Sequence, residues 1–253
     1  MRKFKLTLAY DGTAYHGWQS QNSGRGVADQ IESALARLFP SAPRLTSSSR
    51  TDTGVHARGL VTHFEVPCTE SRIPARQLAL AINAGLPDDV RVIAATRAPA
   101  SFHARFDATA KEYRYSIWNH PAMDPLARHR AWHVPRLLDL AAMRSAAVHF
   151  VGTHDFRAFT TKRDGRLGAP LRTVNRCEIV RRGAEITFRI EASGFLYKMC
   201  RGIVGTLVQV GEGRCPAGQV LEMLASHDRR TTGSNAPAHG LVLWQVFYRP
   251  RGQ

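Results

Sequence analysis

The chain is short of cysteine, of long apolar runs and of acids, and each shortage excludes something. Its four cysteines, at positions 68, 177, 200 and 215, include no Cys-x-x-Cys pair and no histidine spacing of the zinc-binding kind. No metal and no structural disulfide are expected. No run of about 18 apolar residues occurs, which excludes a membrane-spanning helix on length. Met1-Arg2-Lys3-Phe4-Lys5 is basic but has no apolar segment behind it, so no signal peptide is read and a soluble, cytoplasmic protein is expected. Carboxylates are the third shortage: 20 Asp and Glu stand against 35 Lys and Arg, a net charge of +15. A base-composition bias would explain Arg over Lys, but not why acids fail to rise in step. A polyanionic partner, nucleic acid first, is the natural inference.

What is present suits a folded protein. With 253 residues and 43% hydrophobic content, the chain can bury a core and build two compact domains. Phe4, Leu6, Leu8 and Tyr10 alternate with polar or small residues and predict a strand. Val27, Ile31, Ala34, Leu35 and Leu38 follow helical spacing up to Pro40. Strands are expected at Leu60–Val66 and Val90–Ala95, with a helix from about Pro74 to Ala84 between them. The pattern then begins again. Tyr113, Tyr115 and Ile117 mark a strand, Leu140, Met143 and Ala147 a helix over about 137–148, and 176–180 with 185–191 a hairpin around Arg182-Gly183. Helices over about 196–210 and 216–224 follow, then a strand at 241–248 that is apolar on both alternations. Basic, Gly-containing stretches at 160–170 and 229–234 read as mobile loops. An α+β (mixed α/β) fold is expected, with halves at 1–105 and 106–253 joined in one broad, mainly antiparallel sheet beside a basic cleft.

Three stretches carry candidate chemistry. Ser49-Arg50-Thr51-Asp52-Thr53-Gly54-Val55-His56-Ala57 packs a cation, a carboxylate, a glycine and a histidine into nine residues that offer little to a core. A hydroxyl-rich segment, Thr46 to Ser49, reads as a loop before it. Two readings stand at this point: a polar turn in which Asp52 bonds local amides ahead of Gly54, or a catalytic carboxylate at a loop tip. Lys111-Glu112-Tyr113-Arg114-Tyr115 alternates aromatics with charge on a strand, so an unpaired base could stack there, or the rings could be ordinary sheet residues. For Tyr115 the second reading is the better one. Phe195 to Arg201 opens a helix on which Arg201 lies off the centre of the apolar stripe, either facing solvent or meeting a carboxylate.

Taken together, these stretches resemble the bacterial tRNA pseudouridine synthase A family. The resemblance runs from Leu6-Thr7-Leu8-Ala9-Tyr10-Asp11-Gly12 through Tyr15-His16-Gly17-Trp18-Gln19, the Arg50-Thr51-Asp52 loop and Phe102-His103-Ala104-Arg105-Phe106. It continues through the Tyr113 strand, Leu171-Arg172-Thr173 and the Arg201 helix to Ala236-Pro237-Ala238-His239-Gly240-Leu241. Several collinear motifs make a specific signal where one alone would be weak. The resemblance implies the pseudouridine synthase fold, with two related RRM-like α/β halves. It also implies an isomerase that converts uridine to pseudouridine at positions 38, 39 and 40 of the tRNA anticodon stem-loop, acting as a homodimer without cofactor or metal. Carried over by position, Asp52 is the essential aspartate, Arg50 helps hold the base out of the stack, and Tyr113 packs on the uracil. Arg201 pairs with the aspartate and Leu241 lines the pocket. His56, Arg58, Lys111 and Arg114 are further RNA contacts on this reading. Four positions depart from the family pattern: Ser49 and Thr53 flank the loop where Gly and Ala are usual, Gly202 stands where Asn is commoner, and Arg157 replaces a small residue. A non-catalytic RNA-binding module would leave Asp52 without a task, and a metal-dependent nuclease would need more carboxylates than one loop offers.

Overall fold

Strand β1 (Arg2–Tyr10) buries Phe4, Leu6, Leu8 and Tyr10 and turns the residues between them outward, as the alternation predicts. In the computed structural model, which describes residues 1–19, 24–161 and 170–249, β1 lies in a first unit made of Met1–Thr109 and the C-terminal segment from Val242. There it pairs antiparallel with β3 (His56–Val66) on one side and β4 (Val90–Ala98) on the other. A two-residue strand β2 (Thr46–Ser47) adds antiparallel to β3 where an irregular hydroxyl-rich loop was expected, because Thr46 and Ser47 find ladder partners in His63 and Thr62. The last strand, β10 (Leu241–Tyr248), joins β3 in parallel through Val242↔His56 and Leu243↔Ala57. Helix α1 (Val27–Leu38) starts where the Asp29 carboxylate accepts the Gly26 N–H at 2.9 Å and buries Val27, Ile31, Ala34 and Leu35. It packs against α2 (Ala75–Asn83), which lies on β4.

The second unit, Ala110–Leu241, is built on a sheet in the order β5 (Ala108–Trp118), β9 (Glu185–Ala192), β8 (Leu171–Arg182), β7 (Gly152–Asp155), antiparallel throughout. A short β6 (Trp132–His133) pairs with β5 in parallel. One face carries Tyr113, Tyr115, Ile117, Ile186, Phe188 and Ile190, all buried. Helix α3 (Leu140–Val148) packs on β8 and on α4 (Met199–Gly211), and α5 (Gln219–Ser226) contacts β7. Three helices, α3, α4 and α5, begin later than the periodicity alone indicates, two of them for a visible local reason. Asp139 caps α3 by accepting the Ala142 N–H at 3.0 Å, and Lys198 sits in the left-handed region at φ 60, which holds residues 195–197 out of α4. Of the two expected mobile stretches, residues 162–169 lie outside those described. In the other, Arg229–Thr231 forms a 3-10 turn whose Arg230 N–H bonds Asp228. The architecture is mixed α/β with mainly antiparallel sheets. No helix among the described residues is long and apolar enough to cross a membrane.

His63, in the middle of β3, makes the first unit sensitive to acid. Its Nδ1 accepts the buried Ala104 N–H at 3.1 Å, so the ring is held neutral at that nitrogen. Burial, reinforced by the nearby Lys3 ammonium, pushes its pKa below the ordinary 6.5. A histidine lowered on folding takes up protons more readily in the unfolded chain, so its stabilising contribution is complete above about pH 6.5 and is lost as pH falls through the lowered folded value. The urea midpoint is expected to drop between about pH 7.5 and pH 5. In His63→Asn, whose amide oxygen can replace Nδ1 as acceptor, the drop is expected to be smaller; an equal drop in both proteins would refute the assignment.

Candidate active site

Asp52 lies in the connection from β2 to β3, half-buried between the buried Thr51 and the exposed Thr53. Locally it opens a turn. The Val55 N–H donates to the Asp52 carbonyl at 3.1 Å, and Gly54 takes φ +77, the third-position conformation of a type II turn. The expected turn is therefore present, closed by the Asp52 backbone carbonyl, and it leaves the carboxylate at the turn's entrance.

The loop does not stand alone. The segment after β1, carrying Asp11-Gly12 and Tyr15 to Trp18, is packed directly on it. Trp18 N–H donates to the Thr51 carbonyl at 3.1 Å, Gly54 N–H to the Tyr15 carbonyl at 3.4 Å, and the Tyr10 hydroxyl lies 2.8 Å from Thr51 Oγ1. Burial raises the Tyr10 pKa well above the usual phenol range, so that hydroxyl keeps its proton. Two glycines let the backbones meet: a Cβ at Gly12 would fall 2.1 Å from the Val55 carbonyl oxygen, and one at Gly17 would fall 2.6 Å from that of Thr51. The motif residues around Gly12 and Gly17 are thus a cradle for the Asp52 loop. The sequence marks these residues only as motif stretches, because their partners lie 33 to 43 residues away.

The other candidates of this unit divide. Arg50 is exposed beside the loop. Arg58 is also exposed, its guanidinium 4.4 Å from the centre of the Trp244 ring. His56 was expected to touch RNA, and its burial corrects that: only 5% of the residue is exposed. Its Nδ1 lies 3.0 Å from the Gly12 N–H and 3.1 Å from Asp11 Oδ1, so the ring ties the cradle to the start of β3.

In the second unit, Tyr113 is buried on β5 and meets the edge of Phe195 with ring centres 4.8 Å apart. Tyr115 is fully buried, donates to the Pro237 carbonyl at 2.8 Å and is kept protonated by burial, as an ordinary sheet residue would be. Arg201 is half-buried on the first turn of α4, its Nε donating to the Ala236 carbonyl at 2.6 Å while the Ala236 N–H returns a bond to the Arg201 carbonyl at 3.0 Å. Gly205 and Gly233 allow the Ser234–Ala236 segment to lie against α4, since a Cβ at Gly205 would meet the Ser234 oxygen at 1.7 Å. Leu241 is buried at the start of β10. Lys111 is half-buried on β5, and Arg114 is held by the buried Glu112, Nε to Oε1 2.6 Å. Glu112 also faces Arg176 at 3.5 Å, so part of the positive charge on this strand is neutralised internally. Arg157, one of the departures, is engaged with Asp155 at 2.6 Å. A groove lined by Leu138, Val210 and Pro216 sits at the end of α4 remote from Arg201 and contains none of these residues. Among the described residues, no group of three or more His, Cys, Asp or Glu is placed to hold a metal ion.

A carboxylate turn braced by backbone contacts thus stands in a strongly basic mixed α/β chain, a setting suited to a polyanionic substrate. Comparison with known proteins makes this specific. The profile of a family described as tRNA pseudouridine synthase matches residues 7–107 and 146–249, which takes in the Asp52 loop and Arg201 and leaves Tyr113 between the two matched stretches. A protein of an Exiguobacterium species named tRNA pseudouridine synthase A is 43% identical over 248 residues, covering 98% of each chain. Proteins of the same name from Bacillus subtilis and Ruminiclostridium cellulolyticum are 42% and 41% identical, over 97% and 98% of this chain and 99% and 100% of theirs. The chain belongs to the tRNA pseudouridine synthase family. Among solved structures, a chain from a Cbf5-Nop10-Gar1 complex aligns over 81% of this chain and 45% of its own, at 14% identity and a TM-score of 0.35, a likeness on which nothing further rests.

Proposed function

We propose that the protein isomerises uridine to pseudouridine in tRNA, at positions 38, 39 and 40 of the anticodon stem-loop, with Asp52 as the residue that acts on the nucleotide. The observation that carries the reading is the half-buried Asp52 turn, clamped by Thr51, Gly54 and Val55 onto the Gly12–Trp18 segment, in a chain that matches tRNA pseudouridine synthases A end to end. The reaction breaks the N1–C1′ bond and makes a C5–C1′ bond. N1 gains a proton and C5 loses one, so the balance closes without a cofactor. A stacked base cannot turn, so the nucleotide must first leave the helix at a cost of a few kcal/mol. Arg50 would fill the vacated space, Tyr113 would hold the freed uracil, and Leu241 would close the pocket. Asp52 has two chemically sound tasks, attack at C1′ or removal of the 2′ proton, and both need the ionised carboxylate that Arg201 would stabilise.

Arg58, Lys111 and Arg114 would contact phosphates, and two copies of the chain would act as a homodimer. A-form RNA hides its major-groove edges, so recognition should be mostly by shape and phosphate. Affinity for tRNA is expected to fall steeply with salt, log K against log salt having a slope of about −0.7 to −0.9 per phosphate contacted; a flat plot would refute phosphate-led binding. The central test is release of tritium from tRNA labelled at uracil C5, in the absence of metal or cofactor. Release supports the isomerase. Tight binding with no release from any of several tRNAs would replace it with an RNA-binding module.

A further inference from the structure

Phe106 is the one phenylalanine among the described residues that leaves a large hydrophobic surface in solvent, at 75% exposure. The turn that presents it is tightly held. The Asp107 N–H donates to the His103 carbonyl at 3.0 Å, the His103 N–H to Asp107 Oδ2 at 2.9 Å, and the N–H groups of Arg105 and Phe106 both to His103 Nδ1 at 3.2 Å. Ala104 is fixed from both sides, its N–H by His63 and its carbonyl by the Tyr248 hydroxyl at 2.7 Å. One face of the Phe106 ring is stacked on His103, with centres 4.2 Å apart and planes 29° from parallel, and His103 in turn meets His63 at 5.0 Å. The Arg105 guanidinium stands 5.7 Å from the same ring. Burial does not explain a ring so exposed, and loose chain does not explain a turn so fully bonded.

We propose that the outward face of Phe106 is a stacking platform for an unpaired base of the RNA, a site distinct from the pocket of the base being isomerised. The inference rests on the RNA-directed reading above. The net charge of +15 and the guanidinium at the ring favour a nucleic acid over a protein surface; of the carboxylates near this turn, Asp107 is occupied by the His103 amide and Glu65 is paired with Lys3. A base stacked on Phe106 would continue the column that His103 begins. The platform is anchored at His63, seven residues along β3 from His56, so it lies roughly 23 Å down the strand from the Asp52 end at about 3.3 Å per residue. That is too far for one nucleotide to reach both.

The test compares Phe106→Ala, Phe106→Leu and Phe106→Trp with wild type on a fluorescein-labelled tRNA transcript, reading equilibrium binding by anisotropy and KM and kcat by tritium release. Stacking predicts a loss of about 10-fold in affinity and a matching rise in KM for both Ala and Leu, with kcat within about twofold and recovery in Trp. Unchanged thermal melting in all three excludes a folding defect. Wild-type binding in Ala and Leu would overturn the proposal. Recovery in Leu as good as in Trp would overturn it too, since that is apolar contact without stacking, as would a shift in self-association with no change in RNA affinity. If the wild type releases no tritium from any tRNA, the isomerase reading falls on its own, and the binding arm still decides the platform.

Discussion

Asp52→Asn is expected to lower tritium release from C5-labelled tRNA by at least about 10³-fold while leaving tRNA affinity within a few-fold of wild type. The substitution keeps the side chain's size and one acceptor oxygen, so the turn closed by Val55 N–H on the Asp52 carbonyl, a backbone bond, is untouched. What it removes is the charge and the basicity, which both candidate mechanisms require. Affinity should survive because the lost group is an anion in a protein that binds a polyanion. Asp52→Glu separates charge from position: the extra methylene keeps the carboxylate but displaces it by more than about 1 Å, and misplacement on that scale costs of order 10²-fold. Full release in Asp52→Asn would remove Asp52 from the chemistry. Release in Glu but not in Asn would show that the cradle tolerates displacement better than its packing suggests.

How much of this was legible beforehand depended on the range of the interactions. Alternation at Phe4, Leu6, Leu8 and Tyr10, and again at Tyr113, Tyr115 and Ile117, marked two strands because one buried face is written into every second residue. The stripe of α1 and the hairpin at Gly183 were local for the same reason. Strand β3 begins at His56 rather than Leu60, because ladder bonds to β1 and β10 draw in residues whose own pattern is not strand-like. That β10 would pair with β3 in parallel was beyond any window of periodicity, since the two are separated by about 180 positions in the chain. Among the candidate residues, Asp52, Tyr113 and Arg201 stood out as residue types in unusual company, but their roles came from resemblance and not from spacing. The cradle was missed outright. Gly12 and Gly17 look like any turn glycines until the backbone they touch is known, and His56 looks like a surface histidine until Asp11 and Gly12 are found beside it. Arg114 raised the apparent RNA-binding charge of its strand, but Glu112, two residues away and buried, holds much of it.

The cradle can be tested with a pair of glycines that both hold a positive φ and differ in what surrounds them. Gly17 and Gly24 both have positive φ, +90 and +62, and alanine at either position carries the strain of the left-handed side of the map, about 1–2 kcal/mol. At Gly24 that is the cost expected, since no described residue lies within 4 Å of an added Cβ. At Gly17 the Cβ would come within 2.6 Å of the Thr51 carbonyl oxygen and 3.1 Å of the Asp52 carbonyl carbon, both backbone atoms that no rotamer change can move aside. The clash is relieved only by shifting the Asp52 turn or the Tyr15–Trp18 segment, and either strains the Trp18 N–H bond to Thr51. Gly17→Ala is therefore expected to lower kcat by about 10²-fold or more, the price of moving a reacting group by about 1 Å, with a loss of stability beyond that of Gly24→Ala. Gly24→Ala should fold and turn over close to wild type, with a midpoint lowered by the strain alone. Equal activity in the two variants would mean that the turn carrying Asp52 is not positioned by the Tyr15–Trp18 segment. A Gly17→Ala protein with full melting temperature and kcat reduced 10²-fold would be the clearest sign that the segment's task is to place the carboxylate.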